Sequence, residues 1–201
     1  MGIVSRMIQP RAMVSAGDIE SAIRSFFGGG AATASGVSVS SDTAMRQATV
    51  YSCTNVLSRT IGQLPCHLMQ QGGKIREKAL NHSLYPILHD MPNEWMTSPE
   101  FWGMCVNHLV LRGNFYALKN RGGSLSGNVR ELIPLAPSVV QDVTQDRDYK
   151  LTYRCQFPDG DIYDIPGSEI MHVRGMTIDG IRGVSPIAYI RECIGLAQAT
   201  E

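Results

Sequence analysis

Hydrophobic periodicity changes once along this chain, and that change narrows the fold to one class. Before Gly113 the apolar residues recur every three or four positions; after it they alternate. In "SDTAMRQATVYSCTNVLSRTIGQLP" the set Val50, Cys53, Leu57, Ile61 and Leu64 marks one apolar helical face, and Pro65 ends the run. "TSPEFWGMCVNHLVLRG" predicts the best helix of the chain. Thr97 and Glu100 fit a capping box, Pro99 lies in the first turn and Gly113 closes it. Its apolar face is Phe101, Trp102, Cys105, Val106, Leu109 and Val110. Then come five short strand candidates, "NFYALKN", "VRELIPL", "SVVQDV", "LTYRCQF" and "IYDIP", with "SEIMHVRG" as a further strand or turn. Connections such as "RGGSLSGN" and "FPDGD" are too short for parallel crossovers. The expected fold is therefore α+β, with helices packed on an antiparallel sheet of short strands.

Smaller signals fill in the order. "CHLMQQGGKIRE" predicts a hairpin turning at Gly72-Gly73, and "NHSLYPILHD" a short helix. Near the end, Ser185 offers a hydroxyl cap and Pro186 a first helical position, followed by the stripe Ile187, Ile190, Ile194. No Gly, Asn or Pro closes that helix, so the fold is expected to end in an unfinished one. At the other terminus "DIESAIRSFF" predicts a short amphipathic helix capped by Asp18. The Gly/Ala/Ser-rich "GGGAATASGVSVSS" after it lacks the apolar residues to offset its ordering entropy. Residues 1–41 are expected to be an arm and flexible linker, and 42–201 an α+β domain.

Composition sets bounds on function. Hydrophobic residues make up 43% of 201, enough for a real core, and Lys plus Arg (18) balances Asp plus Glu (18). Tight nucleic-acid binding draws on a basic excess, which is missing, so a sequence-specific nucleic-acid binder is disfavoured. The five cysteines, Cys53, Cys66, Cys105, Cys155 and Cys193, are odd in number and include no C-x-x-C pair. They are expected to be buried free thiols in a reducing compartment. The N-terminus lacks a signal-peptide core, Arg6 breaks the myristoylation pattern, and no run approaches the roughly 20 apolar residues that span a bilayer. A cytosolic-type soluble protein, with no membrane partner, is expected.

A search for chemistry finds no converging set. His67, His82, His89, His108 and His172 form no H-E-x-x-H pair and no zinc spacing with the cysteines. His82 and His89 lie two turns apart and could share a helical face. "GGK" (Gly72 to Lys74) lacks the spacing of a phosphate-binding loop, and "GGSLSG" (Gly122 to Gly127) misses the nucleophile elbow because Ser126 stands where glycine is needed. Asp159, Asp161, Asp164 and Glu169 do not meet calcium-loop spacing. Trp95 and Trp102 read as packing around a helix entry, with a stacking platform as the alternative. Arg174 and Arg182 bracket a Gly-rich loop that could touch phosphate or simply be solvated. Hence no catalytic, cofactor-binding or metal residue is assigned, no cofactor is expected, and the chain is read as not an enzyme. The rival is a small α+β hydrolase with His172 as general base and a nearby Asp or Cys.

Several segments, in order, resemble the portal proteins of long-tailed bacteriophages, from about Ala44 to Glu201. The residues concerned are "ATVYSCTNVLSRTIGQLPCHLMQ" with its "LP" step, "HSLYPILHDMPNEWMTSPEFW" with its "PN" turn, and "LVLRGNFYALKNR" with Gly113, Asn114, Phe115 and Tyr116. "ELIPLAPSVV", "EIMHVRG" and "IRGVSPI" complete the set. The resemblance implies a portal wing-like domain, truncated before the stem, clip and crown of the family. On that expectation Ile187, Ile190 and Ile194 lack their cover. It also implies a structural subunit of the DNA entry and exit channel at one capsid vertex, joining head to tail. Implied partners are neighbouring portal subunits in a dodecameric ring, the terminase large subunit, capsid protein and head–tail adaptors, with DNA passing without sequence-specific binding. The implied locations are the virion's portal vertex and, during assembly, the host cytoplasm.

Overall fold

The computed structural model describes residues 39–72, 75–121, 127–191 and 193–195. The expected arm and most of its linker (1–38), the hairpin tip at Gly73 and Lys74, residues 122–126 of "GGSLSG" and the chain after 195 lie outside the described residues.

Thirteen elements follow one another among the described residues. The helices are α1 (Ser41–Ala44), α2 (Ala48–Gly62), α3 (Leu84–His89), α4 (Ser98–Arg112) and α5 (Pro186–Tyr189). The strands are β1 (Met69–Gly72), β2 (Ile75–Lys78), β3 (Asn114–Asn120), β4 (Glu131–Leu135), β5 (Val140–Gln145), β6 (Leu151–Gln156), β7 (Ile162–Pro166) and β8 (Ile170–Arg174). The α+β class is borne out and every pairing is antiparallel. The strands divide into a hairpin, β1-β2, and two three-stranded sheets, β4-β3-β8 and β5-β6-β7, rather than one sheet.

Local chemistry accounts for the element ends. The Glu100 carboxylate reaches back to Thr97, accepting from its N–H and its hydroxyl at 2.8 Å each. Gly113 closes α4 at φ 76°, a left-handed conformation that glycine takes without a side-chain penalty. Between β5 and β6, Asp146 accepts from the N–H groups of Asp148 (2.9 Å) and Lys150 (2.8 Å), building the turn with its own side chain.

The body is layered. Phe115 and Ala117 on one face of β3 pack with Phe101 and Cys105 of α4, Leu132 and Ile87. The other face of the same sheet, through Tyr116, Leu135 and Ile170, packs on Val143, Tyr153 and Cys155 of the second sheet. Helix α2 lies on α4, so the order is α2, α4, sheet β4-β3-β8, sheet β5-β6-β7. Because β3 is sandwiched, Phe115, Tyr116 and Ala117 are all buried in succession.

Helix α2 does not sit on its apolar stripe. Its buried residues are Thr54, Ser58 and Gly62, while Cys53, Leu57, Ile61 and Leu64 are exposed. Each exposed apolar position precedes a buried small one, except Leu64, so the helix is turned by one residue, about 100°, from the orientation its hydrophobic pattern suggests. The cause is close approach. A Cβ on Gly62 would lie 2.8 Å from the Pro99 carbonyl oxygen and 2.9 Å from Gly103 Cα. Only small side chains allow the two backbones to pass at that distance.

Four further expectations change. Of the cysteines, Cys105 and Cys155 are buried, Cys66 is partly buried, but Cys53 and Cys193 are exposed. Ser185 does not cap its own helix; its hydroxyl donates to the Leu111 carbonyl at 2.7 Å, as does that of Ser41 at 3.1 Å. Helix α5 is a single turn broken at Ile190, with residues 191 and 193–195 helical again. Ile187 and Ile194 are not uncovered: they pack with Val39 and Ala44, so residues 39–41 belong with the folded body.

Candidate functional site

Strand β8 brings His172 beside Tyr116 and Tyr153, the residue on which the hydrolase alternative rests. Its two ring nitrogens are both engaged. Nε2 lies 2.9 Å from Asn114 Oδ1, and Nδ1 lies 3.1 Å from the Tyr153 hydroxyl. An amide oxygen only accepts, so Nε2 carries the proton, and Nδ1 accepts from Tyr153. Burial first, then the nearby Arg174 and Arg182 charges, push the His172 pKa down to about 4. The imidazole is thus neutral at pH 7. Its partners are a phenol and an amide, not the carboxylate and nucleophile that hydrolysis would need. Cys155, on β6, is buried and its thiol is pushed up by burial and by the Asp164 carboxylate, the opposite of an activated nucleophile.

The network instead holds a loop. Asn114 Oδ1 also accepts from the Gly183 N–H (2.7 Å), and Asn114 Nδ2 donates to the Gly183 carbonyl (2.7 Å). Gly175 N–H donates to the Gly113 carbonyl at 2.8 Å, and Gly183 lies so close to Gly113 that it has no room for a side chain. Arg174 donates to the Gly180 carbonyl, and Arg182 to Asp142 and the Val143 carbonyl. The two arginines therefore bind the loop 175–183 to itself and to β5, rather than standing ready for phosphate. Asn114 and Tyr153 are the functional partners that sequence reasoning passed over. The "GN" step was visible, but not that the amide closes on a residue 69 positions later.

The remaining candidates do not converge. His82 lies outside α3 and accepts from the Leu84 N–H at 3.2 Å; only His89 is in the helix, so they share no helical face. His89 pairs with Asp90 at 2.7 Å and stacks on His67 at 4.7 Å. Asp164 is bound by Arg154 (2.9 Å) and Glu169 by Arg121 (3.1 Å), while Asp161 accepts from the Tyr163 hydroxyl. Among the described residues, no group of three or more His, Cys, Asp or Glu could hold a metal ion. Trp102 packs into the core with its N–H on the Leu88 carbonyl at 3.1 Å, whereas Trp95 is 61% exposed and takes no part in that packing.

What stands out on the surface is α2. Val56 and Leu64 are each 62% exposed, Tyr51, Leu57 and Ile61 are exposed beside them, and residues 45–64 contain no acidic side chain. Exposed apolar side chains gathered on one helix make α2 the candidate contact surface. No helix among the described residues is long and apolar enough to cross a membrane.

Comparison with known proteins gives this arrangement its context. Residues 48–201 match the family model described as "Phage portal protein". The chain is 40% identical over 130 residues to Protein BeeE of Escherichia coli (strain K12), covering 64% of this chain and 76% of that protein. It is 31% identical over 166 residues to the portal protein of Enterobacteria phage HK97, covering 82% of this chain and 38% of the phage protein. The fold is similar to a chain in the neck of a native gene transfer agent particle computed with C12 symmetry, with a TM-score of 0.59 and 16% identity, covering 79% of this chain and 42% of that one. The chain thus spans about two fifths of the phage portal protein's length.

Proposed function

This chain belongs to the phage portal protein family, and we propose that it is a structural subunit of a portal, the DNA entry and exit channel that joins head to tail at one capsid vertex. The observation that carries the reading is the continuity of the family match, which runs through α2, α4 and both sheets rather than through one motif. The chain acts by assembling rather than by turnover. Its neighbours are further portal subunits in a ring, and the rotational symmetry of the similar particle neck supports that arrangement. Capsid protein, the terminase large subunit and head–tail adaptors are its other partners, and its place is the virion's portal vertex after assembly in the host cytoplasm. The wing-like domain begins at about residue 39 rather than at 42, because Val39 packs with Ile187 and Ile194, and the residues before it supply an arm. DNA passes without sequence-specific contact, in keeping with the balance of 18 basic and 18 acidic residues, because each added phosphate contact would hold the duplex in place.

The test is incorporation. A chain tagged in its own genomic setting is expected in purified particles, with gold label at a single vertex. Its absence from particles, together with hydrolytic turnover abolished by His172→Ala, would overturn the reading in favour of the enzyme.

A further inference from the structure

The uncovered stripe of α2 begins at a residue that is already covered. Val50, Leu57, Ile61 and Leu64 follow one another at intervals of seven, four and three, which places them within about 60° of one another around the helix axis. Arg59, the one charged residue between Ala48 and Gly62, lies on another side, in the groove that α2 shares with Glu100 and Gly103. Leu57, Ile61 and Leu64 are exposed. Val50, at the head of the stripe, instead packs against Val39, Ala44, Ile187 and Ile194. Val39 is 1% exposed and is the first described residue. The chain before it therefore joins the fold at the head of an apolar stripe whose remainder is open.

The sequence before Val39 carries a matching face. Residues 1–38 lie outside the described residues, and "DIESAIRSFF" (Asp18 to Phe27) is read as an amphipathic helix from its pattern alone. At helical spacing Ile19, Ala22, Ile23 and Phe26 share a stripe about 100° wide, with Glu20, Ser21, Arg24 and Ser25 on the remainder. A helix this short is marginal in water by itself, so it forms only where that stripe is buried. The dimensions agree. Residues 18–27 as a helix would be about 15 Å long, and the open stripe from Cys53 to Leu64 runs about 16 Å. The tether also fits. Residues 28–38 are rich in Gly, Ala and Ser, and a flexible linker of that length averages about 17–20 Å end to end. The open stripe ends about 21 Å along α2 from Val50. A linker whose mean length is close to the span it must bridge gives the highest effective concentration.

We propose that residues 18–27 of the same chain pack as a helix on the open stripe of α2, with Ile19, Ile23 and Phe26 over Leu57, Ile61 and Leu64. Neither stripe carries a charge, so the contact buries no unpaired ion. The segment keeps the stripe from drawing chains together at random. This contact lies within one chain and does not rest on the portal reading. It also accounts for the rotation of α2: the small residues pack on α4 and the large apolar ones are left for the N-terminal segment.

Cys53, exposed on the stripe, provides the probe. In the 201-residue chain with Cys66→Ser and Cys193→Ser, Ala22→Cys supplies the second thiol, while Cys105 and Cys155 are buried. A short bis-maleimide, added to dilute protein, is expected to join positions 22 and 53 within one chain, as read by mass spectrometry of the monomer band. Ile23→Asp with Phe26→Asp should slow that link by about tenfold. Moving the helix thiol to another side of α2, by Cys53→Ser with Arg59→Cys, should slow it by a similar factor. Far-UV spectra and cooperative melting confirm that the body stays folded in each variant. Equal rates in all three chains would mean that the tether alone brings the thiols together, and would overturn the proposal. Absence of the 22–53 link would overturn it too. A product joining two chains in place of the intrachain one would give the segment to a neighbour's α2, and would reject the cover within one chain. Particle incorporation is decided separately, so failure here leaves the portal reading standing.

Discussion

Gly62→Ala tests the orientation of α2 by the sign of its effect. Alanine is favoured over glycine by about 1 kcal/mol inside a helix and by less at the last residue, where Gly62 stands, so on a free surface the substitution stabilises slightly. If α2 rested on Val50, Cys53, Leu57 and Ile61, Gly62 would face solvent and that gain would be seen. In the structure the new methyl group meets backbone at once, 2.8 Å from the Pro99 oxygen and 2.9 Å from both Gly103 Cα and Gly103 N. Backbone cannot rotate aside, so α2 and α4 must separate, at an overpacking cost of about 2–3 kcal/mol. Setting the propensity gain against that cost leaves a net loss of about 1–2 kcal/mol, which for a domain of this size lowers Tm by about 2–8 °C. Thermal unfolding followed by circular dichroism, at protein concentrations low enough to exclude self-association, measures the shift. Thr54→Val is the companion. The Thr54 hydroxyl is buried with no hydrogen-bond partner, so replacing it by a methyl group of the same shape should be neutral or stabilising by about 1 kcal/mol. A rise in Tm for Gly62→Ala would refute the close helix crossing and return the apolar stripe to the core.

Two further outcomes follow from burial and from titration. Phe101→Ala, at a side chain with no exposed surface, should cost about 3–5 kcal/mol, whereas Leu57→Ala, at 44% exposure, should cost under about 1 kcal/mol in the dissociated chain; denaturant midpoints compare them. The His172 ring resists protonation in the folded state down to about pH 4, whereas in the unfolded chain it takes a proton near its ordinary value. The unfolded state therefore binds more protons between those limits, and stability falls as pH drops through the window and is flat above about pH 7. With the ring only partly withdrawn from water, the loss by pH 4 is about 1–2 kcal/mol. His172→Gln should remove that part of the slope in acid-unfolding curves, and an unchanged slope would place the ring in solvent.

The sequence by itself determined what depends on neighbours along the chain. The Thr97–Glu100 cap, the Gly113 stop and the positions of β3 through β7 are set by residues within a few positions of one another, and each is realised as read. So is the antiparallel pairing of β3 with β4, β5 with β6 and β6 with β7, because short connections permit nothing else. The family resemblance, carried by ordered short motifs from Ala44 onward, was also legible, and the family match over 48–201 covers the same stretch. Tertiary structure decided the rest. The division into two sheets depends on β8 returning to β3, a pairing of Tyr116 with His172 that no local pattern encodes. Whether His172 is a catalytic base or a buried connector depends on Asn114 and Tyr153, which only the fold brings to its two nitrogens. The orientation of α2 is the sharpest case. Hydrophobic periodicity reports which residues gain from leaving water, not which partner removes them from it. At the crossing with α4 the separation of the two backbones admits only Thr54, Ser58 and Gly62, so the apolar face that the pattern identified is turned outward.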